Sequence, residues 1–259
     1  MVIGTNDIVH RACESTRVAL QHNSLRENLK TAGVTPRAIL FDLDGTLWDR
    51  TSAVRALAHQ QHEQLDDVLG RIPRERYVDR IIRLDDLGRV DKRVLYETIG
   101  VEYGLPESEV ARLHADFWTR FALHTRPFPE VIDTLRHLRN AGVKLGIVTN
   151  GAAVVQQAKI QQLGISALVD AVLISEREGV RKPNPEIFHR AVARLGVEVS
   201  QTWFIGDNPD DDVAGAVAVG LRAFWRECPD WAAPTVACEV IRSLDELLPL
   251  VSDGQVHAR

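Results

Sequence analysis

The sequence predicts an α/β protein: a parallel sheet covered by helices on both faces, interrupted early by an inserted helical bundle. Three observations predict it. From Glu130 onward, short apolar runs alternate with amphipathic stretches, the rhythm that builds a parallel sheet. One apolar run, Ile39-Leu40-Phe41, stands far ahead of the others and ends in an Asp-rich turn. Between them, Trp48 to Arg126 is dense in charge and helical in period. The expected organisation is an N-terminal extension (1–36), a core (37–47 and 127–251), a helical insert (48–126) and a short tail (252–259).

The extension carries scattered helical spacing over Ser15 to Lys30 (Val18, Leu20, Leu25, Leu29) and reads as an ordered or frayed tail without chemistry. The first strand follows. The insert then offers four helical segments: Thr51–Gln64, Arg74–Leu87, Val90–Glu102 and Ser108–His124, the last with Ser108 as its N-cap. Pro127 and Pro129 mark the exit. The core resumes with a helix over Val131–Asn140, a buried strand over Lys144–Thr149, and a helix from the Asn150-Gly151 turn to Leu163. A strand over Ala171–Ser175 and a helix over Pro185–Leu195 come next. They are followed by a strand over Trp203–Ile205, a helix over Val213–Val219 and a strand over Leu221–Trp225. A short strand at Val240-Ile241 and a helix over Leu244–Val251 close the core. The crossovers are expected to be right-handed.

The chain has 259 residues, 45% hydrophobic and 26% charged, an ordinary globular composition. Its formal net charge of -5 lacks the basic excess that a nucleic-acid partner requires. Cys13, Cys228 and Cys238 are widely spaced and form no metal-type pair, so they read as free thiols of a reducing cytosol. The N-terminus has no basic head before an apolar core, and no apolar run approaches the ~18 residues that span a bilayer. A cytoplasmic protein without membrane contact is expected.

The chemistry collects where strands end. Asp42 and Asp44 follow the first strand, and on extended backbone residues two apart point to one side. Two converging carboxylates suit a divalent cation, or a nucleophile beside a proton carrier; a plain polar Asp-Gly turn is the bland alternative. Thr149-Asn150-Gly151 offers a hydroxyl, an amide and backbone N–H groups at a helix start, a seat for an anion or simply a capped turn. Lys182, stiffened by Pro183, can neutralise a phosphate or a carboxylate cluster, although most lysines are solvated. Gly206-Asp207 and the run Asp210-Asp211-Asp212 place further carboxylates after a buried strand. Oxygen-only ligands favour Mg2+ over zinc or copper.

In this order the segments resemble the haloacid dehalogenase superfamily, in its phosphatase-like branch. The motifs stand as Asp42-Leu43-Asp44-Gly45-Thr46, Thr149, Lys182-Pro183, and Gly206-Asp207 with Asp212, Asp211 being the reserve for the last acid. The resemblance covers about Arg37 to Leu250 and implies a Rossmann-like core with a helical cap of the first type. It implies that Asp42 attacks phosphorus and becomes an aspartyl-phosphate, while Asp44 protonates the leaving oxygen and later deprotonates water. Thr149, the N–H groups near Asn150, and Lys182 would hold the phosphoryl oxygens. Asp42, the Asp44 carbonyl and Asp207 would hold Mg2+, with Asp212 orienting its waters or Lys182.

Asp44 speaks against the dehalogenase branch, which needs no proton donor at that position. A phosphonate hydrolase would want a cap lysine, and Lys92 is the only candidate. A phosphomutase keeps both aspartates and differs in how well its cap excludes water. A non-catalytic phosphate-binding module would have lost a motif residue. The expected substrate is a small phosphorylated metabolite, and the expected assembly a monomer or homodimer. Trp48, Asp49 and Arg50 are candidates to line the hinge. Arg71, Arg74, Arg76, Arg80, Arg83 and Arg89 could read a second anion, or simply balance the acids around them on a solvated face.

Overall fold

A computed structural model describes residues 35–252. The helical spacing read over Ser15–Lys30, and Cys13, lie outside the described residues.

The first strand, β1 (Ala38–Phe41), is buried at every position, so it must be covered on both faces and paired on both edges. It pairs in parallel with β2 (Lys144–Thr149) on one side and β4 (Thr202–Gly206) on the other. The six-stranded sheet runs β3-β2-β1-β4-β5-β6, with β3 Ala171–Ile174, β5 Arg222–Arg226 and β6 Glu239–Ile241, and every pairing is parallel. The strand order reverses between β1 and β4. In open α/β sheets that reversal opens the ligand crevice beyond the strands' C-terminal ends. Alternation along β1 feeds two cores: Ile39 and Phe41 enter one face, Ala38 and Leu40 the other.

The insert folds as α1 (Arg50–Gln64), α2 (Arg74–Asp85), α3 (Lys92–Tyr103) and α4 (Glu107–His124). Helix α1 packs on α2 and α4, and α3 packs on α4. Buried Gln61 pins this bundle, accepting from the Tyr77 and Tyr96 hydroxyls and donating to the Leu113 carbonyl at 2.9 Å. Two expectations need correction. Ser108 lies inside α4; Pro106 precedes the helix and makes no side-chain cap. Helix α2 stops at Asp85, because Asp86 and Leu87 turn left-handed (φ 46° and 55°).

In the core, α5 (Val131–Asn140), α6 (Ala153–Gln162), α7 (Pro185–Leu195) and α8 (Leu247–Ser252) follow. The expected helix over Val213–Val219 starts earlier. A π-helical stretch, Pro209–Ala214, runs into Gly215–Ala218, and the Asn208 side chain caps it, accepting from the Asp210 and Asp211 N–H groups at 3.0 Å.

Core and insert meet at two adjacent connections. The Phe128 N–H donates to the Leu47 carbonyl at 3.3 Å, beside a bridge between Trp48 and Pro127. Buried Arg226, at the end of β5, braces both: it donates to the Thr46 carbonyl and to Glu130 (3.1 Å), with Phe128 stacked on its guanidinium.

Candidate active site

The β1/β4 register sets Phe41 beside Ile205, so Asp42 emerges one residue and Asp207 two residues beyond that pair, on either side of the strand-order reversal. Asp42 is fixed by its N–H, which donates to the Ile205 carbonyl at 2.9 Å. Two glycines allow the carboxylates to approach. Gly45 has φ +84°, and a Cβ there would lie 2.4 Å from Asp207 Oδ2. A Cβ on Gly206 would lie 2.4 Å from the Asp212 side chain.

Asp42, Asp207 and Asp212 each offer a carboxylate oxygen within 4.8 Å of one another, and all three are buried. Lys182, 2% exposed, reaches in from the loop before α7 and donates to Asp42 and to Asp212 Oδ1 (2.6 Å). Asp212 Oδ2 accepts the Asn208 N–H at 3.0 Å, so both its oxygens already have partners. One lysine faces three carboxylates. Burial pushes the Asp42 carboxyl up, and the charges of Asp212 and Asp207 add to this against the opposing effect of Lys182. Burial, then the Asp212 charge, push Asp207 up to about 7. An oxygen-only, charge-rich cluster with too few positive partners fits a hard divalent cation such as Mg2+.

Asp44 lies apart from this cluster. Its Oδ1 accepts from Lys159 Nζ (2.6 Å) and Trp48 Nε1 (3.1 Å), its Oδ2 from Gln156 Nε2 (2.7 Å). Burial alone would raise this carboxyl. Lys159 and Arg50, with the hydrogen bonds, outweigh it and hold Asp44 below the usual carboxylate range. The Gln156 amide also donates to Thr149 Oγ1 at 2.6 Å. Gln156 and Lys159 sit three residues apart on α6 and so share a face. Sequence reading passed over both, since polar residues on an amphipathic helix ordinarily face solvent.

Thr149 ends β2 and is buried. Asn150 faces the lysine loop. Its side chain accepts the Lys182 N–H (2.9 Å) and donates to the Lys182 carbonyl (3.0 Å) and Asp211 (3.1 Å). The amide therefore braces the lysine loop, whose Lys182–Pro183 bond is cis. Asp211 contacts this brace, whereas Asp212 contacts Lys182 itself, which favours Asp212 as the second acid.

Around the site, Asp49 caps α1 through the Ser52 N–H (2.9 Å). Buried Arg50 grips Asp85, which also pairs with Lys92 at 2.7 Å. Lys92 is thus held in an ion pair within the insert. Arg80 pairs with Glu102 and Arg89 with Asp86, which accounts for two of the insert's arginines on a charge-balanced face. His62 contacts the Ile72 carbonyl and His124 the Gln60 side chain, both as packing residues.

Fold and carboxylates together define a class of hydrolase. The chain belongs to the haloacid dehalogenase-like hydrolases, whose family model matches residues 36–220. It is 37% identical to a glyceraldehyde 3-phosphate phosphatase of Methanopyrus kandleri, over 71% of this chain and 81% of that protein. Its fold matches a HAD phosphatase from Thermococcus onnurineus (TM-score 0.57, 29% identity, 83% of this chain and 97% of that one). It also matches a 2-haloacid dehalogenase from Pseudomonas syringae (TM-score 0.55, 28% identity, 84% and 99%).

Proposed function

We propose that this chain is a Mg2+-dependent phosphomonoester hydrolase of a small phosphorylated metabolite, working through an aspartyl-phosphate on Asp42. The observation that carries this reading is the separation of two carboxylates that are only two residues apart. Asp42 faces Lys182 and the acid cluster; Asp44 has its own donors on α6. Two titratable groups in environments that push them apart take different roles. A dehalogenase has no use for the second.

Asp42 attacks phosphorus in line, and the bond to the leaving oxygen breaks as Asp44 delivers a proton to it. Asp44, then anionic, takes a proton from the water that cleaves the acyl phosphate. In the present structure Asp44 is held as the anion by Lys159, the state suited to that second step. Thr149 and Lys182 receive the phosphoryl oxygens, together with backbone N–H groups near Asn150. Asp42, Asp207 and the Asp44 carbonyl would hold Mg2+, which supplies charge neutralisation for an anionic nucleophile approaching an anionic phosphate. Asp212 keeps Lys182 in place.

Asp42 (6% exposed), Thr149 (1%) and Lys182 (2%) are buried, so the structure must open to admit substrate, and the insert is the element that lifts. Residues 48–126 then act as the cap. Among the described residues no helix is long and apolar enough to cross a membrane. We place the protein in the cytosol, as a monomer or homodimer. Its described cysteines, Cys228 and Cys238, are free, and burial pushes both thiols up, Cys238 to about 11.

The test is Mg2+-dependent release of phosphate from p-nitrophenyl phosphate and a panel of metabolite phosphates. Asp42→Asn is expected to abolish it; an active Asp42→Asn enzyme removes the nucleophile assignment. Sugar phosphates separate hydrolysis from isomerisation, since isomer formation without free phosphate identifies a mutase.

A further inference from the structure

Trp231, on the loop between β5 and β6, has no part in the chemistry above. Its indole Nε1 donates to Asp207 Oδ2 at 3.0 Å. The face of the same ring carries the Arg89 guanidinium, 4.7 Å from the centroid. Trp231 belongs to the core and Arg89 to the insert. The preceding residue, Asp230, accepts from the hydroxyl of Thr51 in the first turn of α1, at 3.3 Å. One loop thus touches the insert twice and the site carboxylate once.

Arg89 is delivered by unusual backbone. Asp86 and Leu87 are both left-handed, a conformation unfavourable for residues other than glycine. Their surroundings hold them there. Asp85 Oδ2 accepts the Gly88 N–H at 3.0 Å, and a Cβ on Gly88 would lie 2.9 Å from the Arg50 guanidinium carbon. Arg89 itself donates to the Asp86 carbonyl at 3.2 Å and to its carboxylate at 2.5 Å. The strained turn ends at the one residue of the insert that stacks on Trp231.

We propose that Trp231 is a positioning residue: it orients the Asp207 carboxylate for the cation and, through Arg89, makes cation affinity depend on whether the insert is seated. The proposal rests on Asp207 being a Mg2+ ligand. A donor on one carboxylate oxygen fixes the plane in which the other is presented, and partners of this kind change metal affinity by about 10–100-fold. Lifting the insert takes Arg89 off the ring and Thr51 off Asp230, leaving the Trp231 loop free of the contacts that hold its indole against Asp207. Linkage works in both directions, so a bound cation favours the seated insert. A substrate enclosed beneath the insert thereby retains the metal that its hydrolysis requires.

The test is calorimetric titration of Mg2+ alone into the full-length protein and its variants. Trp231→Phe, which keeps the ring and removes the donor, is expected to weaken Mg2+ binding about 10-fold. Arg89→Ala is expected to weaken it about 3-fold, and to add nothing in the Trp231→Phe background. Wild-type affinity in Trp231→Phe overturns the proposal, and so does an equal Arg89→Ala effect in both backgrounds. If Trp231→Phe does not fold, Arg89→Ala decides alone, and unchanged affinity there overturns the coupling. Asp207→Asn runs beside these. Retained Mg2+ binding in Asp207→Asn overturns the metal assignment itself; loss there with wild-type binding in Trp231→Phe overturns only the role of Trp231.

Discussion

Asp207 shows how burial and function oppose each other at a single residue. Its carboxyl, pushed up to about 7 by burial and by Asp212, holds a proton in the metal-free folded protein at pH values where the unfolded chain has lost it. A raised folded value adds stability below the ordinary carboxylate value of 3.8 and loses it as pH rises toward 7. Asp42, shifted in the same direction, adds to the effect. The metal-free protein is therefore expected to melt at a lower temperature at pH 7.5 than at pH 5.5, with a slope of up to ~1.4 kcal/mol per pH unit for each group. Mg2+ should restore the loss, raising the melting temperature more at pH 7.5. A melting temperature that climbs across this range without metal would contradict the assignment. Asp44→Asn tests the other carboxylate. Its loss of turnover should be far larger for an alkyl phosphate than for p-nitrophenyl phosphate, whose leaving group needs no proton. Equal losses would remove the proton-carrying role.

At the scale of the element, the turn after β1 is decisive. Gly45 combines a positive φ with contact against Asp207, so Gly45→Ala meets both backbone strain and a collision at the carboxylate. It should cost about 1–2 kcal/mol in chemical denaturation, and it should cut Mg2+-dependent turnover. Unchanged turnover would show that the Asp207 carboxylate yields without consequence. The motif itself was legible because an apolar run, two acids and a Gly-Thr turn leave few alternatives. Helices α5 and α7 were legible to the residue, α7 because Asn184 and Pro185 open it and Gly196 ends it. The start of α4 was misread, since a serine near a helix start resembles a cap whether or not its side chain is used. The π-helical stretch was hidden, because three successive aspartates resemble a solvated loop until Asn208 captures two of their N–H groups.

For the molecule as a whole, the insert joins the core through two connections that Arg226 clasps. Replacing it with methionine leaves Glu130 without its partner and the Thr46 carbonyl without its donor. Arg226→Met should lower stability by about 2 kcal/mol in urea unfolding. Substrate KM should change with it as the hinge loosens; a variant with wild-type stability and KM would reduce Arg226 to a passive neighbour. The sequence by itself determined the α/β core and the early position of the insert, and it marked Asp42, Asp44, Thr149, Lys182, Asp207 and Asp212 as candidates for the site. Periodicity and turn chemistry are local, and these residues end strands or sit in the turns after them, except Asp212, which lies inside the π-helical stretch. The tertiary structure decided which residues serve them. Gln156 and Lys159 meet Asp44 across more than a hundred positions of chain. Asn150 turns to the lysine loop, and Trp231 reaches Asp207 from beyond β5. Nothing local marks such partners, because only the packing of the core's own strand-end loops and helices brings them within hydrogen-bonding distance.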